Sequence, residues 1–198
     1  HYGVVPDITA LAKIVAGGLP GGAVCGRKDI LDYLDFEVSK EAGREKVRHQ
    51  GTFNANPVSA AAGVAALEII QTGEPGAQAA MTAKTVRAEL NRVLVEEGVP
   101  WAIYGESSIF HIFTNPQKLA ITPGEFDATA YDYETFAPDP RAMLLAKLRL
   151  GMLIHGVDLK GSRGGLLSAV HDDDDVERTT EAWRKSLRML KEEGELDD

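Results

Sequence analysis

Apolar residues recur at helical spacing in several stretches of the chain. Val58, Ala62, Ala65 and Ile69 mark a helix that Asn56 caps and Pro57 opens. Ala83, Val86, Leu90 and Val93 mark a second helix, ending at Gly98, and Leu144, Leu148 and Met152 place a third over 143–154, stopping at Gly156. Val176, Thr180, Trp183, Leu187 and Leu190 form the apolar face of a last helix. Leu31, Tyr33, Leu34 and Phe36, set among charges, predict a short helix from Ile30, followed by an exposed, mobile loop through 40–46. Strand patterns are shorter: Ala23 to Cys25, Trp101 to Thr114 around His111, and Leu166 to Val170. Asn115 to Pro140, punctuated by prolines, reads as a long irregular loop, which at that length is functional or mobile. Thr72 to Gly76 breaks the pattern and places a domain boundary there, giving 1–74 and 75–198.

Composition narrows the class. In 198 residues, 44% are hydrophobic, which suffices for one large or two small packed domains. A net charge of −9 and a pI near 5.1 argue against nonspecific nucleic-acid binding. No apolar run is long enough to span a membrane, and the start lacks the basic and apolar regions of a signal peptide. A single cysteine, Cys25, excludes an internal disulfide framework and fits a reducing cytoplasm. Flanked by Val24 and Gly26, it is expected to be a buried small hydrophobe. Asp172 to Asp175 are expected to offset the dipole of the last helix, because consecutive carboxylates diverge around a helix and make a poor metal site. The chain opens on His1-Tyr2-Gly3 without an initiator methionine, as expected of part of a longer polypeptide.

The stretch that carries chemistry is Pro6 to Gly22. Lys13 stands among Leu11, Ala12, Ile14 and Val15, and Gly17, Gly18, Gly21 and Gly22 follow. Burial of that segment would desolvate the lysine and favour a neutral, nucleophilic amine of the kind that makes Schiff bases. The glycines allow a close approach of backbone to a cofactor or a neighbouring subunit. Read on spacing alone, a solvated lysine on a short turn is the preferred reading of Lys13. Thr52, in His49-Gln50-Gly51-Thr52-Phe53-Asn54-Ala55-Asn56-Pro57, is on its own a loop residue bonding to nearby backbone.

The run Gly3-Val4-Val5-Pro6-Asp7-Ile8-Thr9-Ala10-Leu11-Ala12-Lys13, with Gly17-Gly18-Leu19-Pro20, resembles the cofactor-lysine segment of class III pyridoxal-phosphate-dependent aminotransferases, most of all the glutamate-1-semialdehyde 2,1-aminomutase branch. Gly51-Thr52 with Asn56-Pro57 resembles the same family's phosphate segment. The resemblance implies an α/β, fold type I chain holding the end of the large domain plus an α+β small domain. It implies pyridoxal 5'-phosphate as cofactor, bound covalently by Lys13, which also shuttles a proton, with Gly51 and Thr52 at the phosphate of a neighbouring subunit. A homodimer with a shared site, a small amino donor and a keto or aldehyde acceptor are implied too, and from the aspartate spacing no metal is expected. Family residues that pair the pyridine nitrogen and stack on the ring belong to a preceding half with no match here. In the aminomutases, a glutamate lies near the substrate amine in the segment matching Leu159 to Leu166; this chain has Arg163 and no acidic residue there. That favours an intermolecular aminotransferase over an aminomutase. The competing class is an aminotransferase-like scaffold without activity. His111 is read as structural or near the site rather than as a base.

Overall fold

The computed structural model describes residues 2–196 apart from Pro138, Lys160 and Ser162. The chain divides into two compact units, 1–73 and 74–198.

In the first unit, β1 (Ile8–Leu11) pairs antiparallel with β2 (Ala23–Gly26), Ile8 facing Gly26 and Leu11 facing Ala23. Their connection carries a 3-10 turn, Lys13–Ala16, and the glycine loop. Two short helices follow, α1 (Lys28–Leu31) and α2 (Phe36–Glu41), the second capped by the Asp35 carboxylate, which accepts from Val38 N. The segment after α2 is exposed as expected but is tied down: Arg44 N donates to Ser39 O and Val47 N to Tyr33 O, at 3.0 and 2.8 Å. The predicted cap at Asn56 forms, its Oδ1 accepting from Val58 N and Ser59 N at 3.0 and 3.1 Å, and opens α3 (Pro57–Ile70).

Glu68 is the one charged residue of α3, and a helix apolar on all sides belongs in an interior. Yet Val58, Val64, Leu67 and Ile69 are exposed, as are Ile8, Leu11 and Val24 of the hairpin. Ala16, Ser39 and Gly63 are the buried residues of this unit among those described. Cys25 is exposed rather than buried, because β2 is not covered.

The second unit has its own core. α4 (Glu74–Glu96) begins inside the expected breaker, since Pro75 is tolerated in a first helical turn, where its missing N–H costs nothing. β3 (Ala102–Tyr104), β4 (Ile109–Phe113) and β5 (Gly164–Leu166) form an antiparallel sheet with β4 in the centre. The strand expected at 166–170 thus ends where it was expected to start. α5 (Ala142–Ile154) and α6 (Asp173–Glu192) complete the layer. Leu90, Val93, Ile103, Phe110, Leu148, Met152 and Leu187 pack around Trp183, which is 0% exposed and lies 6.3 Å from Trp101 between ring centroids. Asp172 and Asp175 exchange side-chain and backbone hydrogen bonds in a capping box at the start of α6. Among the described residues no helix is long and apolar enough to cross a membrane, and no cluster of His, Cys, Asp or Glu could hold a metal.

The proline-punctuated stretch is more ordered than its sequence suggests. Two 3-10 turns, Ala128–Ala130 and Tyr133–Phe136, accompany the packing of Phe126 and Phe136 against Tyr104 and Phe113 of the sheet, with Tyr131 stacked on Phe126. Phe113 stacks on Phe126 at 5.1 Å and Tyr104 lies 5.3 Å from Phe136. Spacing of aromatics along a loop has no periodicity, so this packing leaves no signal in the sequence.

The outer edge of β3 is closed by a side chain instead of a strand: Asn91, buried on α4, donates Nδ2 to Ile103 O at 2.8 Å and accepts Ile103 N at 2.9 Å. Asn91→Ala should strand both backbone groups away from water and destabilise the unit by about 2–4 kcal/mol, measured by urea denaturation; a loss under 0.5 kcal/mol would show that water replaces the amide.

Candidate active site

Lys13 opens its 3-10 turn with φ at +58°, a left-handed conformation that costs a residue with a Cβ about 1–2 kcal/mol. The turn is held by Gly17 N donating to Ile14 O at 2.9 Å, and Gly17 is itself left-handed. It lies against α3 with almost no separation. A Cβ on Gly17 would come within 2.4 Å of Ala62 O, and one on Gly63 within 2.7 Å of Val15 O. Two backbones meet directly, so the lysine's position is set by α3 through glycines at both contact points.

The expected burial of Lys13 does not occur. Its side chain is exposed, as are those of Leu11, Ala12 and Ile14, because apolar neighbours in sequence desolvate a lysine only when something covers them. Nζ has no hydrogen bond or ion pair among the described residues.

Gly51 and Thr52 stand in the turn just before α3. Asn54 N donates to Gly51 O at 3.0 Å, Asn56 N to Phe53 O at 3.3 Å, and Ala55 is left-handed at +56°. A Cβ at Gly51 would press on Asn54 Oδ1 at 2.7 Å. Thr52 is exposed, and its hydroxyl and backbone N–H are without a protein partner among the described residues. The first amides of α3 are already satisfied by Asn56, so an anion here would be met by the turn and the Thr52 hydroxyl rather than by the helix end. The Lys13 turn packs on the middle of α3 and the Thr52 turn precedes its first residue. The two elements share a helix, but no hydrogen bond joins the two side chains.

Within the second unit, a cavity of about 470 Å³ is lined by Tyr104, His111, Phe136, Asp139 and Arg163. His111 is exposed, its ring 5.2 Å from that of Tyr104. Burial pushes the Tyr104 phenol upward, and the positive charge of Arg163 acts in the opposite direction. Desolvation pushes Asp139 up, but hydrogen bonds from Arg141 and Thr114 outweigh it and hold this carboxylate below its usual range. Arg163 is exposed, with its carbonyl accepting from Ile112 N at 2.9 Å. Lys160 and Ser162 of the same segment lie outside the described residues.

The sequence profile of aminotransferase class-III matches residues 1–155. This chain belongs to the class-III aminotransferase family. A glutamate-1-semialdehyde 2,1-aminomutase from Methanosarcina acetivorans is 33% identical over 190 residues, covering 94% of this chain and 40% of that protein. In three dimensions this class-III chain is similar to an omega-transaminase from Sphaerobacter thermophilus, with a TM-score of 0.77 and 28% identity over 96% of this chain and 40% of the other. It is similar also to a transaminase with PLP bound, with a TM-score of 0.73 and 26% identity over 97% and 40%. The mixed α/β arrangement is thus that of the corresponding part of the fold type I transaminases. The chain spans about 40% of the length of the curated relatives it matches.

The glycine contact makes a prediction in which ordinary helix propensity is reversed. Gly→Ala in an open helical position gains up to about 1 kcal/mol, as Gly76→Ala should, since a Cβ there meets nothing. Gly63→Ala should instead cost about 1–3 kcal/mol of overpacking and speed hydrogen exchange at the Gly17 and Leu19 amides. Equal behaviour of the two variants in thermal melts and exchange would refute the contact.

Proposed function

We propose that this protein transfers amino groups between small molecules with pyridoxal 5'-phosphate, using Lys13 as the covalent anchor. The observation that carries the reading is the Lys13 amine, exposed and unpaired among the described residues, at the strained opening of a turn pinned to α3. The residues suit the group: a primary amine for an aldehyde, glycines that let backbone approach closely, and a Thr52 hydroxyl with no protein acceptor for a phosphate oxygen. Pyridoxal phosphate, when bound, supplies an electron sink for negative charge developing on the substrate carbon. Lys13 Nζ would hold the cofactor's aldehyde carbon and, when free, would take and return a proton at the substrate carbon. Gly51 and Thr52 orient the phosphate, and donation from Thr52 Oγ1 to a dianion is a charge-assisted bond.

The working unit in this reading is a homodimer in the cytoplasm, with Thr52 serving the neighbouring subunit. It is supported by the uncovered apolar faces of α3 and the hairpin, which exceed what a solvated surface ordinarily carries. Lys13→Ala should abolish the pyridoxyl group that borohydride fixes on the chain while leaving the fold intact by circular dichroism. A reduced pyridoxyl peptide mapping to Lys28 or Lys147 would refute the assignment. Mixing Lys13→Ala and Thr52→Ala chains should restore part of the activity if the site is shared, and no recovery despite proven subunit exchange counts against sharing.

Two reactions fit this chemistry. Glutamate-1-semialdehyde 2,1-aminomutation is favoured by the identity of the relatives. Intermolecular transfer is favoured by Arg163, an exposed cation beside Tyr104 and His111 where a carboxylate of a substrate would be held better than an ammonium group. The proposal is for intermolecular transfer. With glutamate-1-semialdehyde and no added keto acid, a single turnover that resumes on adding an acceptor is expected, and Arg163→Gln should raise KM for a carboxylate substrate about tenfold. Sustained turnover to 5-aminolevulinate would instead establish the aminomutase.

A further inference from the structure

Four cations crowd into residues 40–48 of a chain with 30 acidic and 21 basic residues. Four of the five cations of α6 are engaged, Arg184, Lys185, Arg188 and Lys191 pairing with Glu96, Glu181 or Glu97. Lys40, Arg44, Lys46 and Arg48 form no salt bridge among the described residues. They line one groove of about 480 Å³ together with His49, against a single carboxylate, Glu45. The groove is shaped by backbone rather than left to a free loop, through the Arg44 N and Val47 N hydrogen bonds to Ser39 and Tyr33. Arg44 lies over the Tyr33 ring, its guanidinium carbon 3.8 Å from the centroid. Its Nε is buried without an acceptor.

The lining of the groove ends next in sequence to the Thr52 turn. His49 and Gln50 belong to its lining, and Asn54 Nδ2 of the turn donates to His49 O at 3.5 Å. We propose that this groove is a docking and steering site for a phosphate monoester dianion, guiding pyridoxal phosphate toward the Thr52 turn. The inference rests on the reading of Thr52 as a phosphate ligand.

A phosphate monoester carries a charge of about −1.5 to −2 near neutrality, and the net charge of −9 repels it from most of this surface. Unpaired cations clustered beside the entry reverse the local sign, which acts chiefly on the association rate. Arg44 adds a planar fork suited to phosphate oxygens.

The test uses the full chain stripped of cofactor, following the rate at which pyridoxal phosphate or unphosphorylated pyridoxal loads, with borohydride mapping to Lys13. Combined Lys40→Gln, Lys46→Gln and Arg48→Gln should slow pyridoxal phosphate loading about tenfold at low ionic strength, a gap that closes as salt is added. Pyridoxal loading and the release rate should not change. Inorganic phosphate should compete with loading more strongly in the unaltered chain than in the triple variant, where the Thr52 turn alone remains for it to occupy. A control triple, Lys84→Gln, Lys118→Gln and Arg178→Gln, removes equal charge elsewhere and should load normally. Equal slowing by both triples would overturn the groove in favour of whole-molecule charge. Normal loading of Lys13 by the groove variant would overturn it while leaving the Thr52 reading in place. Failure of the unaltered chain to load Lys13 would overturn that reading and this inference together.

Discussion

The direct meeting of the Lys13 turn with α3 governs the rest of this site. Backbones approach this closely where one side of the contact lacks a Cβ, and Gly17 against Ala62 and Gly63 against Val15 supply that at successive points. A helix is stiff along its length, so a turn pressed on it inherits its rigidity. The same helix is capped by Asn56, whose side chain consumes the first free amides and so leaves the preceding turn, with the Thr52 hydroxyl, exposed beside it. One element therefore places both an amine and a hydroxyl without bringing them into contact.

The two units solve the burial problem differently. The second encloses Trp183, Leu148 and Met152 completely and closes its sheet edge with Asn91, so its stability is internal. The first buries Ala16, Ser39 and Gly63 among its described residues and leaves the apolar side chains of α3 and the hairpin to solvent. Apolar surface of that kind is what protein–protein association covers. Site geometry in the first unit is consequently stiff where glycine backbones touch and open everywhere else.

Charge is distributed with a similar division. Acidic and basic side chains in α4 and α6 neutralise one another in pairs such as Arg184 with Glu96 and Arg188 with Glu97. The cations beside the Thr52 turn are left without carboxylate partners among the described residues. Paired charges contribute little field at a distance, whereas unpaired ones set the local potential that an incoming anion meets.

Local order alone determined much of this protein. The Asn56-Pro57 cap, the apolar faces of α4, α5 and α6 and the aspartates that open α6 depend on neighbours within a turn of chain, and they are legible for that reason. The segments around Lys13 and Thr52 could be matched to a family because ordered runs of residues carry them. What covers those segments is a long-range property. Exposure of Lys13 and Cys25, the pinning of the lysine turn by Gly63 some fifty residues away in sequence, and the aromatic packing of the prolyl stretch on Tyr104 and Phe113 were decided by tertiary structure. Burial depends on which surfaces meet, and a residue's neighbours in sequence do not carry that information.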